Sequence, residues 1–233
     1  MILCVETATP VCSVALTNRS GIVAKRESTE ERSHATQLTV FIGELLASEK
    51  IKVSNLEAVA VSKGPGSYTG LRIGVSVAKG LAYGASVPLI GIETTRSMFF
   101  GLIKDFNYQN KADMDTLFCP MLDARRMEVY YCLYNATGGI IRDISAEVID
   151  AESFKDIPLS TRIVFFGNGA AKCKDVINRQ NSVFIDDFNA SASFMHLPAY
   201  EALDKHKFED VAYFEPFYLK DFIATVPKKK IIG

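Results

Sequence analysis

A chain of 233 residues with 48% hydrophobic content, 26 basic against 27 acidic side chains and a net charge of -1 has the composition of a soluble globular protein with ample core material. Such balanced charge argues against a chain that grips nucleic acid unaided, which requires clustered Lys and Arg to neutralise several phosphates; the single basic run, "PKKK", reads as a solvated tail. The longest well-placed uncharged run, Gly80 to Ile92, falls short of the roughly 20 residues of a membrane span and contains Pro88, "MILCVE" lacks the marks of a signal peptide, and five cysteines without a CxxC read as reduced core residues, which together predict a cytoplasmic protein.

In chain order, "ILCVE", "CSVALTN" and "IVAKRE" are apolar or alternating runs separated by turns and predict three strands in meander order. Arg32 to Glu49 predicts a helix with Leu38, Phe41, Ile42 and Leu45 on one face and Ser33 as its cap. "AVAVSKG" is a continuous apolar strand, "TGLRIGVSVAKGLAYG" the helix after it, "VPLIGIE" another strand, and a further helix begins near Thr94. The polar, aperiodic "KDFNYQNKADMD" reads as a loop between halves. The order then restarts: "LFCPMLDA", "MEVYYCLYN" and "GGIIRDISAEVI" predict three strands, followed by a short helix at "AESFKD", a strand at "RIVFFG" and a helix from Ala170. Three meander strands followed by alternating helix and strand, written twice, predict two α/β lobes with mixed sheets, divided as residues 1–103 and 104–233. The helix from Ala190 to His206 and "FEPFYLKDF" are expected to return and cover one lobe.

Chemistry-bearing patterns are sparse. "KGPGSYTG" joins a strand to a helix as phosphate-binding loops do, but it lacks the terminal lysine of a Walker A loop, its glycines at 64, 66 and 70 are spaced GxGxxxG, and Pro65 removes a donor. On the helix that follows, Arg72, Ser76, Lys79 and Tyr83 form one polar stripe, and Gly70, Gly74, Val77 and Leu81 lie opposite it. A glycine inside a helix costs about 1 kcal/mol against alanine, so these positions imply a close neighbour. The earlier helix shows a matching small-residue face in Thr36, Val40, Gly43 and Ala47. Two readings stay open: the faces pack on each other within the chain, or they meet another protein. Glu6 and Asp123 end the first strands of the two halves; they are either plain turn acids or carboxylates flanking a cleft where Mg²⁺ and phosphate are held. The turn containing Gly167 and Gly169 could sit under a nucleotide base. His34, His196 and His206 show no metal-ligand spacing, no serine occupies a GxSxG elbow, and no cysteine is paired with a histidine.

The segments "ILCVETATPVCSVAL", "KGPGSYTGLRIGVSVAKGLAYG", "IGIETT", "LDARRMEVYYCLY" and "EPFYLKD" resemble, in order, the TsaB family of bacterial tRNA threonylcarbamoyladenosine biosynthesis. The resemblance implies a duplicated actin-like fold, the fold of sugar kinases and heat-shock chaperone ATPases. It implies a non-catalytic subunit of a TsaD-type protein that transfers a threonylcarbamoyl group to the tRNA adenosine beside the anticodon. A TsaE-type ATPase in the same complex, a homodimer when alone and contact with tRNA only through the complex belong to the same expectation. ATP and metal are expected on the partner and none on this chain: the partner's HxxxH pair is replaced here by His34 and Leu38. The family's helical contact, carried over, falls on Thr36, Val40, Gly43 and Ala47 with Gly70, Gly74, Val77 and Leu81; the stripe at Arg72, Ser76 and Lys79 is the rival face. Many relatives have Asp at the position of Glu6, which weakens a nucleotide-metal role there. The alternative from another class is a small-molecule kinase or ATPase that uses Glu6, Asp123 and the Gly167 turn; a peptidase is the remaining reading.

Overall fold

The computed structural model describes residues 1–30, 34–104 and 115–220. Its first sheet holds β1 (Ile2–Glu6), β2 (Cys12–Asn18), β3 (Gly21–Ser28), β4 (Ala58–Gly64) and β5 (Leu89–Glu93), in the order β3-β2-β1-β4-β5. β1 pairs antiparallel with β2 and parallel with β4, and β4 pairs parallel with β5. Helices α1 (His34–Ser48) and α2 (Tyr68–Ala85) make the crossovers that parallel strands require, and α3 (Thr94–Ile103) follows β5. The central strand β1 is buried throughout, as its unbroken apolar run demands.

The second sheet repeats this plan. β6 (Leu117–Asp123), β7 (Glu128–Asn135), β8 (Ile140–Val148), β9 (Ile163–Phe166) and β10 (Ser182–Ile185) lie in the order β10-β9-β6-β7-β8, which read from the other end is the first order with every strand advanced by five. β6 is antiparallel to β7 and parallel to β9, as β1 is to β2 and β4. The chain therefore has a duplicated α/β architecture of the actin-like type, with two mixed sheets.

Two of the expected second-half helices are not formed. "AESFKD" is a run of turns, because Phe154 adopts a left-handed φ of 66° and drives its ring into the core of Tyr131, Phe165 and Ile163. After Ala170 there is a single 3-10 turn, Ala171–Cys173, and then β10, a strand absent from the sequence reading. A 3-10 turn at Ala192–Met195 leads into α4 (His196–Asp204), and both pack on the first sheet against Ile2, Cys4, Ala60 and Ile90. The division at 103/104 thus separates the two sheets, while the chain beyond residue 190 returns to the first. α3 joins the halves: Met98, Phe99 and Leu102 pack among Phe118, Leu122, Val164 and Phe166 of the second sheet. The expected cap Ser33 and the polar residues 105–114 lie outside the described residues.

Candidate functional site

Two features carry functional potential, an outward helical face and a cleft between the sheets. α1 buries Leu38, Ile42, Leu45 and Leu46 against the first sheet, and Thr36, Val40, Gly43 and Ala47 lie exposed on its other side. Val40 keeps 51% of its surface exposed, and a side chain at Gly43 would meet open space. On this helix Val40, Gly43 and Ala47 are exposed and belong to no core cluster of the described residues.

α2 behaves differently. Ser67 caps it, its hydroxyl oxygen accepting from the Gly70 amide at 3.3 Å. Gly70 and Gly74 are buried, and a Cβ at either would overlap Thr7 at the end of β1. Val77 and Leu81 are half-buried against the core of the first half, which holds Val5, Val14, Leu38 and Val75. These four residues, expected at a partner interface, therefore face inward: the close neighbour their glycines require is the turn after β1 of the same chain. Of the rival stripe, Arg72 and Ser76 are exposed, but Lys79 donates to the carbonyls of Ala212 (3.2 Å) and Phe214 (2.9 Å). The outward surface of α2 ends at Gly80, Tyr83 and Gly84, with Tyr83 80% exposed. Tyr83 was legible as part of a polar stripe, but its place on an open face was not.

The cleft has a volume of about 490 Å³ and runs between the turn after β1, the α2 N-terminus and the turn after β6. Its first-half wall is Ala8 to Pro10, His34 and Pro65 to Thr69; its second-half wall is Leu122 to Arg125, Tyr130 and Asn168. Phe217 to Lys220 complete the lining. His34 secures the β1 turn, Nε2 donating to the carbonyls of Thr9 (2.9 Å) and Val11 (3.2 Å).

The two strand-end acids do not form a pair across this cleft. Glu6 is fully buried and absent from the lining; Oε1 accepts from the Ala8 amide at 2.6 Å, and Oε2 has no hydrogen-bond partner. Burial pushes its pKa up to about 7, against hydrogen bonds from Ala8, Ser62 and Thr7 that lower it. Asp123 does line the cleft, where it forms an ion pair with Lys172 and accepts from the Arg125 amide at 3.0 Å. Gly167 and Gly169 are also off the wall. A Cβ at Gly167 would overlap the carbonyl oxygen of Met121, and one at Gly169 would lie 2.7 Å from the carbonyl carbon of Leu122. Both glycines let their turn seat on β6, so the expected space under a base is filled by this chain, and only Asn168 between them reaches the cleft. Among the described residues no three His, Cys, Asp or Glu side chains converge as a metal site. No described helix is long and apolar enough to cross a membrane.

Comparison with known proteins agrees with this architecture. A family model described as TsaD, tRNA N6-adenosine threonylcarbamoyltransferase, matches residues 21–227. The tRNA threonylcarbamoyladenosine biosynthesis protein TsaB of Escherichia coli (strain K12) is 37% identical over 133 residues, 57% of this chain and 54% of that protein. TsaB of Bacillus subtilis (strain 168) is 27% identical over 183 residues, 76% of this chain and 74% of that protein. The chain thus spans about half the length of the Escherichia coli relative and about three quarters of the Bacillus one. The solved structure of YeaZ from Pseudomonas aeruginosa superimposes with a TM-score of 0.76 at 23% identity, covering 94% of this chain and 99% of that one. A second Pseudomonas aeruginosa structure, described as an uncharacterized protein with similarity to peptidase YeaZ, gives 0.81 at 21% identity over the same shares. These two likenesses establish the fold.

Proposed function

The chain belongs to the family that the TsaD model describes, and within it to the TsaB group; from that premise we propose that it is a non-catalytic binding subunit of a TsaD-type protein. In this reading the partner carries ATP and metal and transfers the threonylcarbamoyl group to the tRNA adenosine beside the anticodon. This chain supplies a surface that holds the partner in its active arrangement, with a TsaE-type ATPase in the same complex. Alone in the cytoplasm it pairs with a second copy through the same surface, and tRNA is met only through the complex.

The observation that carries the reading is the outward face of α1 and α2. Val40, Gly43 and Ala47 on one helix and Gly80, Tyr83 and Gly84 on the other offer small and apolar groups to solvent, with an exposed aromatic at the edge. Small residues let another helix approach closely, and a tyrosine is a common anchor in protein interfaces. The cleft supports the non-catalytic part: Glu6 is held beneath the surface without a charged partner, and Asp123 is engaged by Lys172.

A mass measurement of the chain alone and mixed with a TsaD-type protein tests this. The wild type is expected to form a complex, and Val40→Glu to lose it while keeping its fold, because Val40 supports no core contact. Association unaffected by Val40→Glu and by Tyr83→Ala overturns the assigned face. Tight binding and hydrolysis of Mg-ATP by the isolated chain overturn the non-catalytic role.

A further inference from the structure

The segment from Ala212 to Lys220 belongs to neither sheet, yet it touches both halves. On the first half Phe214 is buried in the core, and the Phe217 amide donates to the Lys63 carbonyl at 2.6 Å. The Phe217 carbonyl oxygen lies where a side chain at position 64 would stand, 2.5 Å from a Cβ built on Gly64, so only glycine admits the strap at this point. Gly64 has φ of 113°, which the absence of a side chain also permits. One residue on, the Tyr218 ring packs on Tyr68 at the start of α2, with centroids 4.9 Å apart. The second half is reached at Lys220, whose ammonium pairs with the largely buried carboxylate of Glu128. Phe217 to Lys220 therefore line the cleft with one end tied to each wall.

We propose that Phe217 to Lys220 form a latch that ties the two walls of the cleft together in the resting chain, anchored by Tyr218 on Tyr68 and by Lys220 on Glu128. The latch seats on the glycine turn beside the α2 N-terminus and takes up part of the cleft that a ligand would enter. It is an intramolecular occupant, and the cleft opens when the Lys220 anchor is given up. Its first-half anchor is tied to the outward stripe of α2, because Arg72 donates to the Tyr68 hydroxyl at 2.7 Å. A protein that takes Arg72 would loosen the same ring on which Tyr218 packs. That last step rests on the proposed partner surface; the latch itself does not.

The test uses the full chain with Lys220→Glu, Glu128→Lys and the double variant that restores the pair in reverse. Exchange of the Phe217 amide reads the latch, hydroxyl-radical labelling of Tyr68 and Tyr130 reads access to the cleft walls, and exchange of the Val59 amide, bonded to Pro88, reads the sheet. Each single variant is expected to accelerate Phe217 exchange and raise tyrosine labelling roughly fivefold, the scale of one lost half-buried ion pair. The double variant is expected to return both toward the wild type, with Val59 unchanged throughout. Unchanged Phe217 exchange in both singles overturns the latch, as does a double variant no better protected than the singles. Equal acceleration at Val59 also overturns it, since the pair would then stabilise the whole chain rather than hold the strap.

Discussion

The two halves share one strand order and differ in what covers the strands. In the first, α1 and α2 lie as full helices on one face and α4 with its leading 3-10 turn on the other. In the second, one face is shared with α3 and the opposite face is closed by turns, through Phe154, Ile157, Cys173 and Ile177. A duplicated sheet can thus keep its hydrogen-bonded order while its outer layer is reduced to a few anchored side chains. The half that kept its helices is also the half with an outward face to offer a partner.

If that contrast is right, single side chains matter more in the second half. Phe154 is almost fully buried, and its ring meets Tyr131 and Phe165 with centroids 5.2 Å away in each case. Phe154→Ala is expected to cost about 4 kcal/mol, the range for a truncated core aromatic. Denaturant unfolding measures it, and a loss below about 1 kcal/mol would mean that the turns hold without their anchor.

The strand-end acids sharpen the same comparison at pH. The Glu6 pKa rises from 4.5 to about 7 on folding, so between these values the unfolded chain has lost its proton while the folded chain retains it. Stability contributed by neutral Glu6 is complete below pH 4.5, falls as pH rises to about 7 and is level above that. The full difference is about 3 kcal/mol, at roughly 1.4 kcal/mol per pKa unit. Glu6→Gln is expected to abolish this fall, so that its advantage over the wild type is larger at pH 8 than at pH 5 by about that amount. Asp123→Asn, at the matching place in the second half, removes an exposed ion pair and is expected to cost under about 1 kcal/mol. Parallel pH dependence in wild type and Glu6→Gln would place the titrating group elsewhere.

How much of this was legible in the sequence follows from how far each signal reaches. The strand pattern is local, and both meanders and three of the four parallel additions, β4, β5 and β9, could be read; β10, whose four residues are only half-buried, could not. The turn at Phe154 could not, because nothing in "AESFKD" requires a phenylalanine at positive φ; the core that receives its ring does. Helical spacing placed Gly70 and Gly74 on one face but gave no identity to the neighbour, since Thr7 lies more than sixty residues away in the chain. The pairing of Glu6 with Asp123 failed for a related reason: strand ends are readable, whereas whether a carboxylate points into a cleft or under it depends on the turn that follows.

Gly70 and Gly80 separate the two kinds of helical glycine most directly. Gly70 faces the backbone oxygen of Thr7, which cannot move without displacing the end of β1, so Gly70→Ala is expected to cost about 2 kcal/mol through overpacking. Gly80 lies on the same helix with nothing within 4 Å of its added Cβ. Gly80→Ala replaces a poor helix former by the best one at no steric cost, and is expected to raise stability by about 1 kcal/mol. Opposite signs from one substitution on one helix would follow from where each glycine points. The same exchange that stabilises the free chain places a methyl group on the proposed partner face, so Gly80→Ala should raise the unfolding midpoint while weakening association with a TsaD-type protein. A variant that gained stability and kept its full affinity would leave glycine at 80 without a role in docking and move the interface toward Val40 and Gly43.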